Sequence, residues 1–286
     1  MDNALISAAH AIGGFCNHRQ LSLAERCRAA AEGGFRAIGW ALDDYRAERS
    51  AGRSDADILA ILADHGVAVP EVEYLEVGAE AATGGTAGQD RRDLLHLAAL
   101  VQARHLVCVA PTASGLSPDQ ETRMRIVRDY RSLCEDAATV GVMPLLEAMP
   151  WSILASLAAA AEVVEMAGHS SGGLVLDTWH FHRIGSAPED LCTVPADMVR
   201  LVQISDAGPM VGDFFEDTVK RRLFPGEGEF PLVETLRVAA RHGVRAPVSV
   251  EVIGDAADRL TPSGVARRSL ETTQAVLQAA GFDPVG

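Results

Sequence analysis

The stretch that decides the fold is residues 142–177, VMPLLEAMPWSILASLAAAAEVVEMAGHSSGGLVLD. It opens on a short apolar run, Val142 to Glu147, and passes through an Ala-rich segment from Ser152 to Ala167. It closes on a second apolar run, Leu174 to Asp177. Apolar runs this short fit strands buried on both faces, whereas the Ala-rich segment has the length of a helix. A helix between two such strands is a parallel crossover unit. Both strands end on an acid.

Working outward, the same alternation covers the chain. Further strands are expected at Ala4–Ala9, Arg36–Trp40, Val67–Tyr74, His105–Ala110, Val199–Ile204 and Pro247–Val252. A helix from Ser22 to Glu32 has Ser22 as N-cap, Glu25 completing a capping box, and Gly33-Gly34 as its stop. Others run from Asp55 to His65, from Gln89 to Ala103, from Ser117-Pro118 to Gly141, from Pro231 to His242 and from Pro262 to Ala280. The residues between Trp40 and Asp55 read as a polar loop, and Val77–Gly88 as a loop rich in Gly and Ala. Eight strand–helix units predict a single (β/α)8 TIM barrel domain over residues 1–286. The competing architecture is an open doubly wound sheet, but no Gly-rich dinucleotide fingerprint follows the first strand.

The length of 286 residues suits such a barrel, which needs about 250. No run approaches the roughly 20 apolar residues of a membrane span, and the start of the chain shows no signal-peptide pattern. Cys16, Cys27, Cys108, Cys134 and Cys192 are odd in number and include no CxxC pair. They read as reduced thiols, which places the protein in the cytoplasm. A net charge of −14 argues against nucleic-acid binding. The basic run Lys220-Arg221-Arg222 suits a small polar or anionic molecule better than a duplex.

In a barrel of this kind the chemistry sits at the C-terminal strand ends. There the sequence puts Glu147, Asp177, Gln203 with Asp206, and Glu251, each after an apolar run. Three carboxylates brought together repel, and each resists ionising. A divalent cation removes that conflict, and three carboxylates with an amide oxygen form a hard site suited to Mn²⁺, Mg²⁺ or Co²⁺. The competing reading pairs these acids with Lys and Arg at the barrel mouth. His10, Glu73, Trp40 and Trp151 also lie at strand ends, where His10 and Glu73 can reach a substrate and the indoles can wall a pocket.

The words LLEAMPW at 145–151, LDTWH at 176–180, QISD at 203–206, RLFPGEG at 222–228 and Val250-Glu251 resemble the xylose isomerase-like TIM barrels, the sugar phosphate isomerase/epimerase superfamily. The resemblance implies one divalent metal at the barrel mouth, held by Glu147, Asp177, Gln203 and Glu251. It implies a substrate-contacting role for His180 and makes Arg183 and Arg222 substrate-binding candidates. Asp206 is a candidate to orient Gln203 or a loop. Many family members have His where this chain has Gln203, and Gln looks like some 3-dehydroshikimate dehydratase-type members.

The implied chemistry is proton transfer next to a carbonyl, with Glu147 and Glu251 as the acid and base. The first expectation is an isomerase or epimerase of a sugar or related polyhydroxy ketone, working through an enediolate. The alternative is a dehydratase of a keto-polyol or keto-cyclitol such as 3-dehydroshikimate or an inosose. An endonuclease IV-type nuclease would need several His-rich zinc sites and a basic face, and a purely binding barrel would not need all four ligand positions. The resemblance also suggests a homodimer or homotetramer.

Overall fold

The computed structural model describes residues 6–8, 12, 20–78, 86–112 and 119–285. The strands β1 (Ile6–Ala8), β2 (Ala37–Ala41), β3 (Ala68–Glu76), β4 (His105–Val109), β5 (Met143–Glu147), β6 (Gly173–Asp177), β7 (Val199–Ile204) and β8 (Val248–Val250) pair in sequence order. All the pairings are parallel, and β1 also pairs with β8. The sheet is therefore a closed barrel, which excludes the open doubly wound alternative. Among the described residues no helix is long and apolar enough to cross a membrane.

The helices are α1 (Leu23–Gly33), α2 (Leu42–Ser50), α3 (Asp55–His65), α4 (Thr86–Val101), α5 (Gln120–Val140), α6 (Leu157–Ala167), α7 (Thr178–Arg183), α8 (Phe214–Arg221), α9 (Leu232–His242), α10 (Asp255–Asp258) and α11 (Pro262–Ala280). Local chemistry explains the boundaries. Ser22 and Glu25 form the expected capping box of α1, and Gly34 ends it in a left-handed conformation.

Three expectations change. The stretch after β2 is helix α2 instead of loop, and α4 begins inside the segment expected as loop. The helix after β5 starts at Leu157, because the Ser156 side chain, and not Ser152, accepts from the Ala159 N–H at 3.2 Å. The residues after β6 form the short helix α7, capped by the Asp177 side chain. The proposed helix start at Ser117-Pro118 lies outside the described residues, and α5 is capped by Asp119.

Val107, Leu145, Val175 and Leu201 come from four adjacent strands, β4 to β7, and form their own buried cluster inside the barrel. The large surrounding cluster packs the outer strand faces against the helices. Strand side chains alternate with a period of two. The residues two positions further on therefore share the inward face, and they are Val109, Glu147, Asp177 and Gln203. A single period thus stacks a polar layer directly on an apolar plug.

Candidate metal and substrate site

Glu147 ends β5, Asp177 ends β6, Gln203 lies opposite Asp177 in the β6–β7 pairing, and Glu251 follows β8. The Glu251 N–H extends the barrel by bonding the Ile204 carbonyl at 3.1 Å. All four side chains are buried, with Gln203 only 1% exposed. Metal-ligating atoms of Glu147, Asp177 and His180 lie within 4.8 Å of one another. His180 Nε2 is 3.1 Å from Glu147 Oε1. It reaches this position because α7 begins at Asp177, whose Oδ1 accepts from the His180 N–H at 2.9 Å.

Arg222 is the charge partner of this layer, a role the sequence assigned only to unspecified Lys and Arg. Its guanidinium is 2% exposed. Nη1 lies 2.8 Å from Asp177 Oδ2, 3.5 Å from Glu251 Oε2 and 3.2 Å from Ser205 Oγ, while Nε donates to Thr218 Oγ1 at 3.0 Å. The group also stands over the Trp179 ring, 5.3 Å from its centroid. Burial by itself would raise the Asp177 carboxyl, but Arg222 and His180 beside it hold it below the ordinary aspartate range. Burial opposes the charge on Arg222, yet Asp177 and Glu251 push its pKa above the usual arginine value.

Backbone pairing on both sides fixes Arg222. Arg221 bridges to Gly254 and Leu223 to Asp206. Gly254 has φ 94°, and a Cβ there would collide with the Lys220 backbone, so only glycine allows this approach. Asp206 accepts from the N–H groups of Ala207, Gly226 and Phe230 at 2.8, 3.0 and 3.0 Å. It therefore braces the turn at 225–228 and, through Leu223, the chain carrying Arg222. Asp206→Ala removes these acceptors from buried or half-buried donors, and a loss of about 3 kcal/mol is expected. Urea unfolding measures it; Asp206→Asn, which keeps one acceptor oxygen, should lose less. Equal losses would contradict this account.

Gln203 shows what the protein alone leaves unfilled. Among the described residues neither its amide oxygen nor its nitrogen has a hydrogen-bond partner, although both are buried. His180 Nδ1 is in the same condition. A buried amide without partners costs free energy unless something else binds it. A donor set of three carboxylates, an amide oxygen and an imidazole fits one divalent cation.

Beside this layer lies a cavity of about 250 Å³. Glu147, His180, Arg222 and Glu251 line it, together with Glu73 and Trp151. Trp151 meets His180 edge-on at 5.2 Å and Phe215 at 6.0 Å. Arg183, a substrate-binding candidate from the sequence, is engaged elsewhere. It holds Asp217 at 2.6 Å and the Gly208 carbonyl at 3.0 Å, and it is not among the lining residues. Trp40 is buried against Tyr45 instead of walling the cavity. His10 lies outside the described residues.

The sequence reading missed α8, which supplies Phe215, Thr218 and Val219 to the wall. Its signal was present: residues 215, 218, 219 and 222 follow the i, i+3, i+4, i+7 spacing of one helix face, after an Asp213 N-cap.

Residues 27–276 match the family described as xylose isomerase-like TIM barrel, and the chain belongs to that family. A protein of Pseudomonas aeruginosa named 3-dehydroshikimate dehydratase is 32% identical over 128 residues, which cover 44% of this chain and 20% of that protein. A Halalkalibacterium halodurans protein named inosose isomerase is 28% identical over 159 residues, covering 55% of this chain and 56% of that one. The chain thus spans about a fifth of the length of the Pseudomonas relative and about half of the other. Among solved structures, the IolI protein with a zinc atom superposes with a TM-score of 0.83 at 19% identity, covering 98% of this chain and 99% of that one. That likeness confirms the barrel.

Proposed function

We propose that the protein is a divalent-metal-dependent isomerase or epimerase of a polyhydroxy ketone. The observation that carries this reading is the convergence of Glu147, Asp177 and Glu251, with the unpartnered amide of Gln203, beside one cavity. Glu147, Asp177, Gln203 and Glu251 would hold the metal, and His180 lies within reach of the same point. When bound, a Mn²⁺, Mg²⁺ or Co²⁺ ion supplies positive charge to a carbonyl and its neighbouring hydroxyl.

The chain's own groups do the rest. Glu147 takes the proton from the carbon next to the carbonyl, leaving an enediolate, and Glu251 returns a proton from its own side of the cavity. Return to the same carbon on the opposite face inverts it, and return to the neighbouring carbon interconverts aldose and ketose. Arg222 and His180 orient substrate oxygens. Trp151 and Phe215 exclude water from one wall.

Loss of a β-hydroxyl from the same enediolate would give a dehydratase. Gln203 and the similarity to 3-dehydroshikimate dehydratases favour that second reading. The free thiols of Cys27, Cys108, Cys134 and Cys192 support a reducing, cytoplasmic location. A homodimer or homotetramer completes the proposal.

NMR in D₂O with an inosose tests the reading. The metal-loaded protein should place deuterium next to the carbonyl and form an isomer. Loss of water with a new alkene signal would select the dehydratase instead. No divalent ion bound on titration of the stripped protein would overturn both.

A further inference from the structure

Helix α8 walls the cavity with Phe215, Thr218 and Val219, yet none of its apolar side chains is fully buried. Its two buried side chains are polar, Asp217 and Thr218. Packing of an apolar face is what usually holds a helix in place, so α8 is docked by other means. An arginine meets each of the two buried groups. Thr218 Oγ1 accepts from Arg222 Nε at 3.0 Å. Asp217 Oδ2 accepts from Arg183 Nε at 2.8 Å and lies 2.6 Å from Arg183 Nη2. Both guanidinium groups stand over the Trp179 ring, each 5.3 Å from its centroid.

Arg183 is the last residue of α7, the helix that Asp177 caps and that carries His180. Its side chain is 8% exposed, and that of Asp217 is fully buried. Arg183 Nη2 also donates to the Gly208 carbonyl at 3.0 Å, and Asp217 Oδ1 accepts from the Val211 N–H at 3.2 Å. The pair therefore gathers three pieces of chain: the end of α7, the segment 208–211 and α8. Breaking such a pair strands a charge away from water. Phe215, Thr218 and Val219 lie within two residues of Asp217, so a shift of Asp217 moves the wall itself. Arg222 keeps its own brace through the bridges of Arg221 and Leu223, and Glu147 stands on β5. Loss of Arg183 thus reaches the wall and spares the proton-transferring acids.

We propose that Arg183 is a positioning residue: by holding Asp217 from the end of α7 it fixes α8, and with it the wall that Phe215, Thr218 and Val219 present to the substrate. The proposal rests on the reading of this cavity as a metal-dependent keto-polyol site. Arg183 and Asp217 are not among the lining residues. Their action is on the shape of the pocket, and a pocket held in shape binds without first ordering its own wall.

Turnover of an inosose by the Mn²⁺-loaded protein and amide hydrogen exchange of α8 together test it. Arg183→Met and Asp217→Ala should each raise KM by about 10-fold or more and leave kcat within about threefold of wild type. In both variants the amides of residues 214–221 should exchange about 10-fold faster, with those of β5 and β6 unchanged. Arg183→Lys keeps a cation beside Asp217 without the planar fork. It retains the buried pair where Arg183→Met fails to fold, and its KM and exchange should lie between wild type and Arg183→Met. Unchanged exchange in α8, or faster exchange with an unchanged KM, overturns the positioning role. A KM raised in Arg183→Met but not in Asp217→Ala overturns it as well, since that is the pattern of a direct substrate contact. Wild type that leaves the inosose unaltered overturns the keto-polyol reading and any part of Arg183 in it, while the exchange measurement still decides whether Arg183 anchors α8.

Discussion

Glu147→Gln is expected to lower kcat by about 10³-fold or more, because a positioned general base contributes about 10²–10⁴-fold on its own. The side chain is buried, lines the cavity and contacts His180 Nε2 at 3.1 Å. Gln preserves the shape and an oxygen that His180 can still bond, so folding should survive while proton abstraction does not. Exchange of the substrate proton for deuterium measures the step directly, independent of product release. Metal content by elemental analysis separates lost base from lost ligand. A variant that retains metal and more than a tenth of the wild-type exchange rate would exclude Glu147 as the base.

Asp177→Ala should produce the largest loss of stability. Asp177 caps α7 through the His180 N–H and pairs with the buried Arg222. Removing one partner of a buried ion pair costs about 3–5 kcal/mol, because the other charge remains in a low-dielectric setting. For a chain of this size that corresponds to a drop in Tm on the order of 10 °C. Calorimetry of the metal-free protein isolates this term from metal binding, which should be lost as well. The double variant Asp177→Ala/Arg222→Met should regain part of the loss, since it removes the stranded charge. A double variant as unstable as the sum of both single ones would show that the pair is not coupled.

What the sequence made legible follows from distance along the chain. Glu147, Asp177 and Gln203 could be placed because each strand carries its own apolar run and the period of two fixes the inward face. Burial of Arg222 could not. It sits in a basic run that reads as suited to a small polar or anionic molecule, and the bridges of its neighbours Leu223 to Asp206 and Arg221 to Gly254 draw it inward. The pairing of Arg183 was hidden for the same reason, since its partner Asp217 is 34 residues away. The helix α2 was missed because its N-cap, Ala41, offers no side-chain bond and only Leu42, Tyr45 and Glu48 are buried. Where order comes from caps and local periodicity, the sequence suffices; where it comes from tertiary pairing of charges, it does not.

The apolar plug of Val107, Leu145, Val175 and Leu201 has a consequence for traffic. It closes the inner end of the barrel on the side of β4 to β7, beneath the carboxylate layer. The lining of the cavity includes the exposed rings of Tyr74 and Phe215. A ligand seated there stands between the solvent and the carboxylates beneath it. Under the proposed function, loading is expected to be sequential, cation first and organic ligand second.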